Sequence, residues 1–172
     1  MHLEPATPAD LPALHALIES AYRGDSARAG WSHEADLLGG QRTDLAALDD
    51  MLADPDQDVL VFRDGEKVAA CVALADKGDG LAYLGLLTVD PRRQAAGLGR
   101  LILAAAEDHA VRRFAAARIE MTVIAQRSEL IDWYGRRGYS LTGECRPFPA
   151  TDPRFGLPRR ADLEFVVLAR TL

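Results

Sequence analysis

The sequence is poor in the features that mark secreted, metal-binding or membrane proteins. Its 172 residues include only two cysteines, Cys71 and Cys145, and no Cys/His spacing typical of a zinc site. No apolar run approaches the length of a transmembrane helix, and the chain does not open with a signal-peptide pattern. We therefore expect a cytoplasmic protein with reduced thiols, no bound metal and no membrane partner.

Positive charge is also in the minority. The chain has 20 Lys and Arg against 26 Asp and Glu, a formal net charge of −6, which disfavours electrostatic binding to nucleic acid. The length suits one domain with a sizeable core, so we expect residues 1–172 to form a single domain. Local arginine clusters in such a chain suit a small anion better than a polymer.

The most informative stretch joins a strand, a basic loop and a helix. Residues 84–89 form an apolar run that predicts a buried strand, which Asp90 and Pro91 end. A loop containing arginine and glycine follows, and from Leu98 onward apolar residues recur at helical spacing.

The loop has the features of a phosphate-binding loop. A helix start exposes unpaired N–H groups and carries a partial positive charge. Gly97 and Gly99 lack a Cβ, so a ligand can approach the backbone closely, and Arg92, Arg93 and Arg100 add positive charge. Two glycines alone could equally form a tight turn, but the arginines and the flanking elements favour a pyrophosphate site. The spacing matches neither a Rossmann fingerprint nor a P-loop.

This loop resembles the acetyl-CoA-binding motif of the GNAT acetyltransferase superfamily, Q/R-x-x-G-x-G/A. The motif is matched by six consecutive residues, namely Gln94, Ala95, Ala96, Gly97, Leu98 and Gly99. The resemblance implies that these residues and Arg100 hold the pyrophosphate of acetyl-CoA. It also implies that the backbone of Leu87, Thr88 and Val89 pairs with the pantetheine arm of that molecule.

The order of the predicted elements matches the same family over nearly the whole chain. Strands are predicted at residues 2–6, 58–63, 67–75, 81–89, 118–125, 139–145 and 162–169, and helices at residues 8–24, 43–52, 97–117 and 128–137. The family resemblance implies an α/β (α+β) fold with a mixed, mostly antiparallel sheet flanked by helices. Its one parallel strand pair would splay apart at the acetyl-CoA site.

The resemblance extends to residues 133–139, WYGRRGY, which are similar to the family signature F-Y-x-x-x-G-F. It implies that Tyr134 is the general acid that protonates the CoA thiolate. A phenol has a pKa near ~10, so it is protonated at neutral pH and can donate. From spacing alone, Tyr134 could instead be an aromatic side chain packed on the sheet, which is the role we expect for Trp133 and Tyr139.

Two positions depart from the family pattern. Arg127 stands seven residues before the tyrosine, where the family often has an asparagine that contacts the CoA arm; Gln126 or Ser128 could replace that contact. Tyr83 stands where some members carry a glutamate base, and no carboxylate lies between residues 81 and 89. The base must therefore come from elsewhere or be water.

Two groups of acidic residues could supply the base. The loop after the first helix borders the acceptor site in this fold, so Trp31, His33 and Glu34 are expected to bind the acceptor, with Glu34 as the preferred base. The alternative is a solvated loop. Glu120 and Glu164 each lie in a predicted apolar strand, where a carboxylate could simply face water.

The loop between the last two predicted strands, residues 146–160 and here called the late loop, is both basic and aromatic. Such loops border the acceptor pocket in this fold, so Arg146 and Phe148, together with Tyr83, are expected to contact the acceptor. Arginine could hold an acidic group there, because it binds carboxylates bidentately. The alternative is ordinary loop surface.

We thus expect an acetyl-CoA-dependent N-acetyltransferase that acts on a primary amine, preferably a small molecule, by direct attack in a ternary complex. The alternatives are acetylation of protein lysines or N-termini, a non-catalytic acyl-CoA-binding or sensing domain, and a structural partner protein. A homodimer is expected only by analogy with the fold.

Overall fold

The computed structural model describes residues 2–172, except for the side chains at Gly24, Ala95, Ala96 and Phe155. The helices are α1 (Leu11–Tyr22), α2 (Gly24–Ala27), α3 (Leu45–Ala53), α4 (Leu98–Phe114) and α5 (Ser128–Gly135). The strands are β1 (Glu4–Pro5), β2 (Leu38–Gly39), β3 (Gln57–Asp64), β4 (Lys67–Asp76), β5 (Leu81–Val89), β6 (Arg118–Ile124), β7 (Ser140–Pro147), β8 (Leu157–Pro158) and β9 (Glu164–Thr171).

Seven strands form one mixed sheet in the order β1-β3-β4-β5-β6-β9-β7. Strands β5 and β6 run parallel, because α4 connects them and returns the chain to the same end of the sheet. The other neighbouring pairs of this sheet are antiparallel. The mostly antiparallel sheet with flanking helices, expected from the sequence, is confirmed.

The parallel pair separates halfway along its length. The ladder between β5 and β6 stops at the pair Tyr83–Glu120. Between Gly85 and Thr88, β5 has one residue more than the facing part of β4, and Leu86 in this bulge adopts a φ of +49°. A bulge bends its strand and increases the local twist, so a gap opens between the ends of β5 and β6.

Helices cover both faces of the sheet. On one face, α4 packs Ile102 and Ala106 against residues such as Val72 of β4. On the other face, Leu14 of α1 and Leu48 of α3 pack against the alternate side chains of β3 and β4. Because successive strand residues point to opposite faces, burial on both faces explains why residues 59–62 of β3 and 68–75 of β4 are apolar without interruption.

The loop predicted after the first helix, residues 25–42 and here called the early loop, contains most of α2 and the whole of β2. Strand β2 pairs with β8 in a two-stranded antiparallel ribbon, with Leu38 opposite Pro158 and Gly39 opposite Leu157. Beneath the ribbon, Leu38 packs in a small separate core. The ribbon therefore fastens the loop after α1 to the late loop, two segments more than a hundred residues apart.

Several predicted helix boundaries differ from the observed ones; α5, for example, ends at Gly135 rather than at residue 137. Helix α4 ends at Phe114 rather than near residue 117, because Ala115 turns into the left-handed region with a φ of +51°. Helix α3 begins at Leu45 rather than at residue 43, because Asp44 is its N-cap and the Asp44 carboxylate accepts a 2.7 Å hydrogen bond from the N–H of Ala47. None of the described helices is long and apolar enough to cross a membrane.

Candidate active site

Two cavities meet at the splayed end of the sheet. The first is here called the loop cleft. It is lined by residues 94–100, here called the glycine loop, and by the end of β5, α5 and the segment around Trp31. It encloses about 600 Å³ of partly solvent-open space. The second, here called the strand gap, lies between β5 and β6 and encloses about 530 Å³. Five side chains line both cavities, namely Tyr22, Leu87, Arg127, Leu130 and Tyr134.

The glycine loop forms one wall of the loop cleft. Gly97 precedes α4 with a φ of +75°, a conformation that costs a residue with a Cβ about 1–2 kcal/mol. A Cβ on Gly99 would lie 3.5 Å from the Trp133 ring and would narrow the cleft. Since the first N–H groups of a helix have no intrahelical partner, the start of α4 presents donors to an anion in the cleft.

The charges that line the loop cleft are all positive. Arg100, Arg127 and Arg137 line it, and no carboxylate does so among the described residues. The Arg137 guanidinium lies 3.5 Å from the centroid of the Trp133 ring, and its Nε is buried without a hydrogen-bond partner in the described part of the chain. Burial, followed by the nearby Arg136 and Arg100, lowers the pKa of Arg137. These residues fit a polyphosphate anion.

Of the three arginines expected to surround the loop, only Arg100 lines this cleft. Arg92 forms an ion pair with Asp90 at 2.7 Å, and Arg93 pairs with Asp64. Both pairs line a different surface pocket, so they do not add free positive charge to the cleft.

Gln94 fastens the early loop to the glycine loop. Its Oε1 accepts a 2.9 Å hydrogen bond from the N–H of Trp31, and its Nε2 donates to Ser32 Oγ, also at 2.9 Å. A Cβ on Gly30 would lie only 2.4 Å from Gln94 Oε1, so a larger residue there would displace the end of the Gln94 side chain. The side chain of Gln94 is thus occupied by the protein itself. Ala95 and Ala96 lie in the same loop, but their side chains are outside the described part.

The end of β5 contributes backbone rather than polar side chains. Leu87 and Val89 line the loop cleft, whereas the buried Thr88 turns its hydroxyl back to the carbonyl of Leu86 at 2.8 Å. The hydroxyl of Tyr22 donates to the carbonyl of Leu87 at 2.9 Å and supports the bulged strand from α1.

Tyr134 lies where the two cavities meet. Its side chain is buried and makes edge contacts with Trp133 and Tyr139, at centroid distances of 4.9 and 5.6 Å. Among the described residues its hydroxyl has no hydrogen-bond partner. Burial, and then the nearby Tyr22, raise the pKa of Tyr134 above its ordinary value, so the hydroxyl is protonated at neutral pH and available to donate.

Glu34 is the centre of a buried cluster of arginines. Its Oε2 accepts from Arg23 Nη1 at 2.6 Å, and its Oε1 accepts from Arg127 Nη1 at 2.9 Å. Arg42 Nε lies 3.9 Å from Oε2. Burial alone would raise the pKa of Glu34, but Arg127, Arg42 and Arg23 together outweigh it and lower the pKa.

This arrangement favours a positioning role for Glu34. Both of its oxygens are engaged, and a lowered pKa makes a carboxylate a weak proton acceptor. Its contact with Arg127 holds that side chain between the cavities, where Arg127 also donates to the carbonyl of Ser32. A role for Glu34 as general base stays a prediction.

The other residues expected at the acceptor site are dispersed. Tyr83 lines the strand gap and shares a 2.7 Å hydrogen bond with Thr122. His33 lines a neighbouring surface pocket instead, where its Nδ1 is buried without a partner among the described residues. Trp31 lines the loop cleft and lies 6.1 Å from Trp133 between ring centroids.

The late-loop residues are engaged elsewhere. Arg146 donates to Glu144 at 2.7 Å and to Glu120 at 3.1 Å, and the bond to Glu144 contributes most to raising its pKa. Phe148 is buried against Phe165 in the small core under the ribbon. Neither lines the two cavities, so these positions support the loop around the site rather than its inner wall.

Sequence reasoning missed three contributors to the site: Tyr22, Arg23 and Arg42. Tyr22 is the last residue of α1, and the two arginines flank the early loop. The only available signal was polar and aromatic residues beside a loop already expected at the acceptor site.

In the described part of the chain, no group of three or more His, Cys, Asp or Glu side chains is arranged to hold a metal ion.

Comparison with known proteins supports the interpretation of the loop. The model of the acetyltransferase (GNAT) family matches residues 13–139, which include the glycine loop and Tyr134. A search of curated protein sequences found no significant match.

Solved structures share the fold over the whole chain. A ribosomal-protein-alanine N-acetyltransferase from Brucella melitensis has 18% sequence identity and a TM-score of 0.72, with 100% of each chain covered. A spermidine N-acetyltransferase from Vibrio cholerae has 13% identity and a TM-score of 0.68, with 99% of this chain and 95% of that chain covered. At such identities the likeness concerns the fold alone.

Proposed function

Because the chain belongs to the GNAT family of N-acetyltransferases, we propose that it transfers an acetyl group from acetyl-CoA to the primary amine of a small molecule. The amine would attack directly in a ternary complex. The observation that carries this proposal is the position of Tyr134, whose side chain lines both the loop cleft and the strand gap. A proton donor at that junction is what the departing thiolate needs.

The loop cleft would hold acetyl-CoA, which supplies an activated thioester when bound. The start of α4, the backbone at Gly97 and Gly99, and the side chains of Arg100 and Arg137 would bind its phosphates. The backbone at Leu87 and Val89, where β5 lines the loop cleft, would pair with the pantetheine arm. Arg127, at the boundary of the cavities, would contact that arm near its reactive end.

Proton transfer follows from the ordinary acidities of the groups. Free alkylammonium groups have a pKa near ~10.4, so the acceptor must lose a proton before its nitrogen lone pair attacks the acetyl carbon. When the carbon–sulfur bond breaks, Tyr134 gives its proton to the sulfur. The phenolate then takes up the proton that the acylated nitrogen releases, directly or through water, so that the hydroxyl is restored.

A small acceptor fits the strand gap better than a peptide. The gap is bounded by the early loop, which the β2–β8 ribbon fastens to the late loop. Its charged lining consists of Glu34, Arg42 and Arg127, whereas an open acidic groove would suit a basic peptide.

The direct test is CoA release from acetyl-CoA with a panel of amines, on wild type, Tyr134→Phe and the control Tyr139→Phe. Tyr139 also buries a phenol, but its hydroxyl donates to Glu107 at 2.9 Å and lies outside both cavities. We expect kcat to fall at least tenfold in Tyr134→Phe alone, with the Kd of acetyl-CoA unchanged. An equal rate in Tyr134→Phe would remove this residue from the mechanism. Binding of acetyl-CoA without turnover of any amine would favour a non-catalytic acyl-CoA-binding domain.

A further inference from the structure

We infer that the acceptor is an amine that also carries a carboxylate, as an amino acid does, and that Arg42 binds this carboxylate in the strand gap. The inference rests on the proposed function, because it concerns the second substrate of the same site. It assigns to the early loop the task that the sequence suggested for Arg146 of the late loop.

The strand gap has a surplus of positive charge. Glu34, Arg42 and Arg127 line it, and Arg23 contacts Glu34 from behind. Within this lining, one carboxylate faces two guanidinium groups, with Arg127 Nη1 at 2.9 Å and Arg42 Nε at 3.9 Å. The Glu19 carboxylate accepts from the backbone N–H of Arg42 at 2.7 Å and not from its guanidinium. In a chain whose formal net charge is −6, such a local surplus points to an anionic ligand, because the partly exposed Arg42 could pair with a carboxylate there.

Arg42 is the member of the cluster with donors to spare. Arg23 and Arg127 make short contacts with Glu34, whereas Arg42 Nε lies 3.9 Å from it, beyond hydrogen-bonding distance. Among the described residues, its guanidinium makes no hydrogen bond. It is nevertheless held in place, stacked 5.2 Å from the centroid of the Tyr22 ring. A fixed guanidinium with free N–H groups can bind a carboxylate bidentately.

The coenzyme does not account for Arg42. The loop cleft has its own cations, Arg100 and Arg137, and Arg42 does not line that cleft. It lines the strand gap instead, the cavity left for the acceptor. The anion that it would bind therefore belongs to the acceptor.

The same surplus of charge would help to deprotonate the amine. A nearby positive charge disfavours an ammonium group and lowers its pKa, so a bound amine in the gap loses its proton more easily than in water. This lowering of the amine pKa would take over part of the role of the glutamate base that some family members carry at the position of Tyr83 in β5. It would also exclude polyamines, because each additional ammonium group would be repelled.

The test compares matched acceptors that differ only at the acidic group. Initial rates are measured with each of the common L-amino acids, with the corresponding L-amino acid carboxamides, and with spermidine as a cationic acceptor. We expect the best amino acid to have a kcat/KM at least tenfold higher than its carboxamide, and spermidine to be a poorer acceptor than either.

The variant Arg42→Gln then tests whether Arg42 is the residue that binds the carboxylate of the acceptor. We expect it to raise the KM for the amino acid at least tenfold and to affect the carboxamide much less, so that the discrimination between the two collapses. Arg42→Lys should restore only part of it, since lysine keeps the charge but not the paired donors. Arg160→Gln is the control, because Arg160 is an exposed arginine paired with Asp162, and it should retain wild-type discrimination.

The outcomes separate this inference from the proposed function. Preferred acetylation of carboxamides or spermidine, or equal losses for acid and carboxamide in Arg42→Gln, would overturn the inference and leave the acetyltransferase in place. Binding of acetyl-CoA with no turnover of any amine would overturn both. If Arg42→Gln does not fold, the wild-type comparison of the amino acid with its carboxamide still tests whether the acceptor carries a carboxylate, and Arg42→Lys still tests whether Arg42 binds it.

Discussion

The loop cleft and the strand gap are adjacent, yet they are encoded differently in the sequence. The glycine wall of the cleft comes from one continuous segment, residues 94–100, which joins β5 to α4. The gap is assembled from α1, the early loop, β5, β6, α5 and β9. A continuous segment can be recognised by its own pattern, whereas the composition of the gap depends on which distant elements the fold brings together.

The two cavities also differ in how their charge is balanced. The cleft is lined by arginines, without a carboxylate among the residues that the structure describes, so its charge is available to a ligand. In the gap, Glu34 engages Arg23 and Arg127 and leaves Arg42 less firmly paired. Substitutions in the two cavities should therefore have different effects, mainly on the stability of the protein in the gap and mainly on the binding of acetyl-CoA in the cleft.

The largest expected effect is on the stability of the gap. Replacement Glu34→Gln leaves Arg23 and Arg127 buried without their counter-charge, which should lower the free energy of unfolding by about 3–5 kcal/mol. Urea unfolding measures this change. The control is Asp36→Asn, which removes a carboxylate from the exposed pair with Arg28 and should cost less than ~1 kcal/mol. Unchanged stability in Glu34→Gln, together with a large fall in kcat, would favour Glu34 as general base instead.

A smaller effect is expected at the glycine wall of the cleft. The Gly97→Ala replacement places a Cβ on a residue with a φ of +75°, which should cost about 1–2 kcal/mol and weaken acetyl-CoA binding by distorting the start of α4. Gly135→Ala is the matched control, because Gly135 lies in α5 and an added Cβ there would meet no neighbouring atom within 4 Å. Calorimetric titration with acetyl-CoA measures the affinity. Equal affinities in the two variants would contradict the role of the loop conformation.

The difference between the cavities also explains what the sequence could predict. The order of elements, the parallel pair and the glycine loop follow from local patterns of apolar residues, turns and caps, and the structure confirms the fold. The position of Arg42 could not be predicted, since it depends on the pairing of β2 with β8 and on the stacking with Tyr22. The same applies to Phe148, an aromatic loop residue whose burial depends on contacts with Phe165 of another strand.

A still smaller effect is expected where the early loop is fastened to the cleft. Gln94→Ala removes the hydrogen bonds to Trp31 and Ser32, each worth about 0.5–1.5 kcal/mol. Without them the early loop should close less well over the cleft, so the KM for acetyl-CoA should rise several-fold while kcat at saturation changes less. Trp31 provides a second readout, because its fluorescence should become more accessible to an added quencher. If neither quantity changes, the loop is held by its other contacts.

The smallest effect appears only in acid and distinguishes the gap from the rest of the chain. The pKa of Glu34 is lowered in the folded state, so the unfolded chain binds a proton at this residue more readily than the folded chain does. The stabilisation that Glu34 provides is therefore complete above its ordinary pKa of ~4.3 and is lost as the pH falls towards the folded-state value. Urea unfolding between pH 7 and pH 3 should show a shallower fall in stability for Glu34→Gln than for wild type. Parallel pH profiles in the two proteins would mean that the arginine cluster does not hold this carboxylate in its charged form.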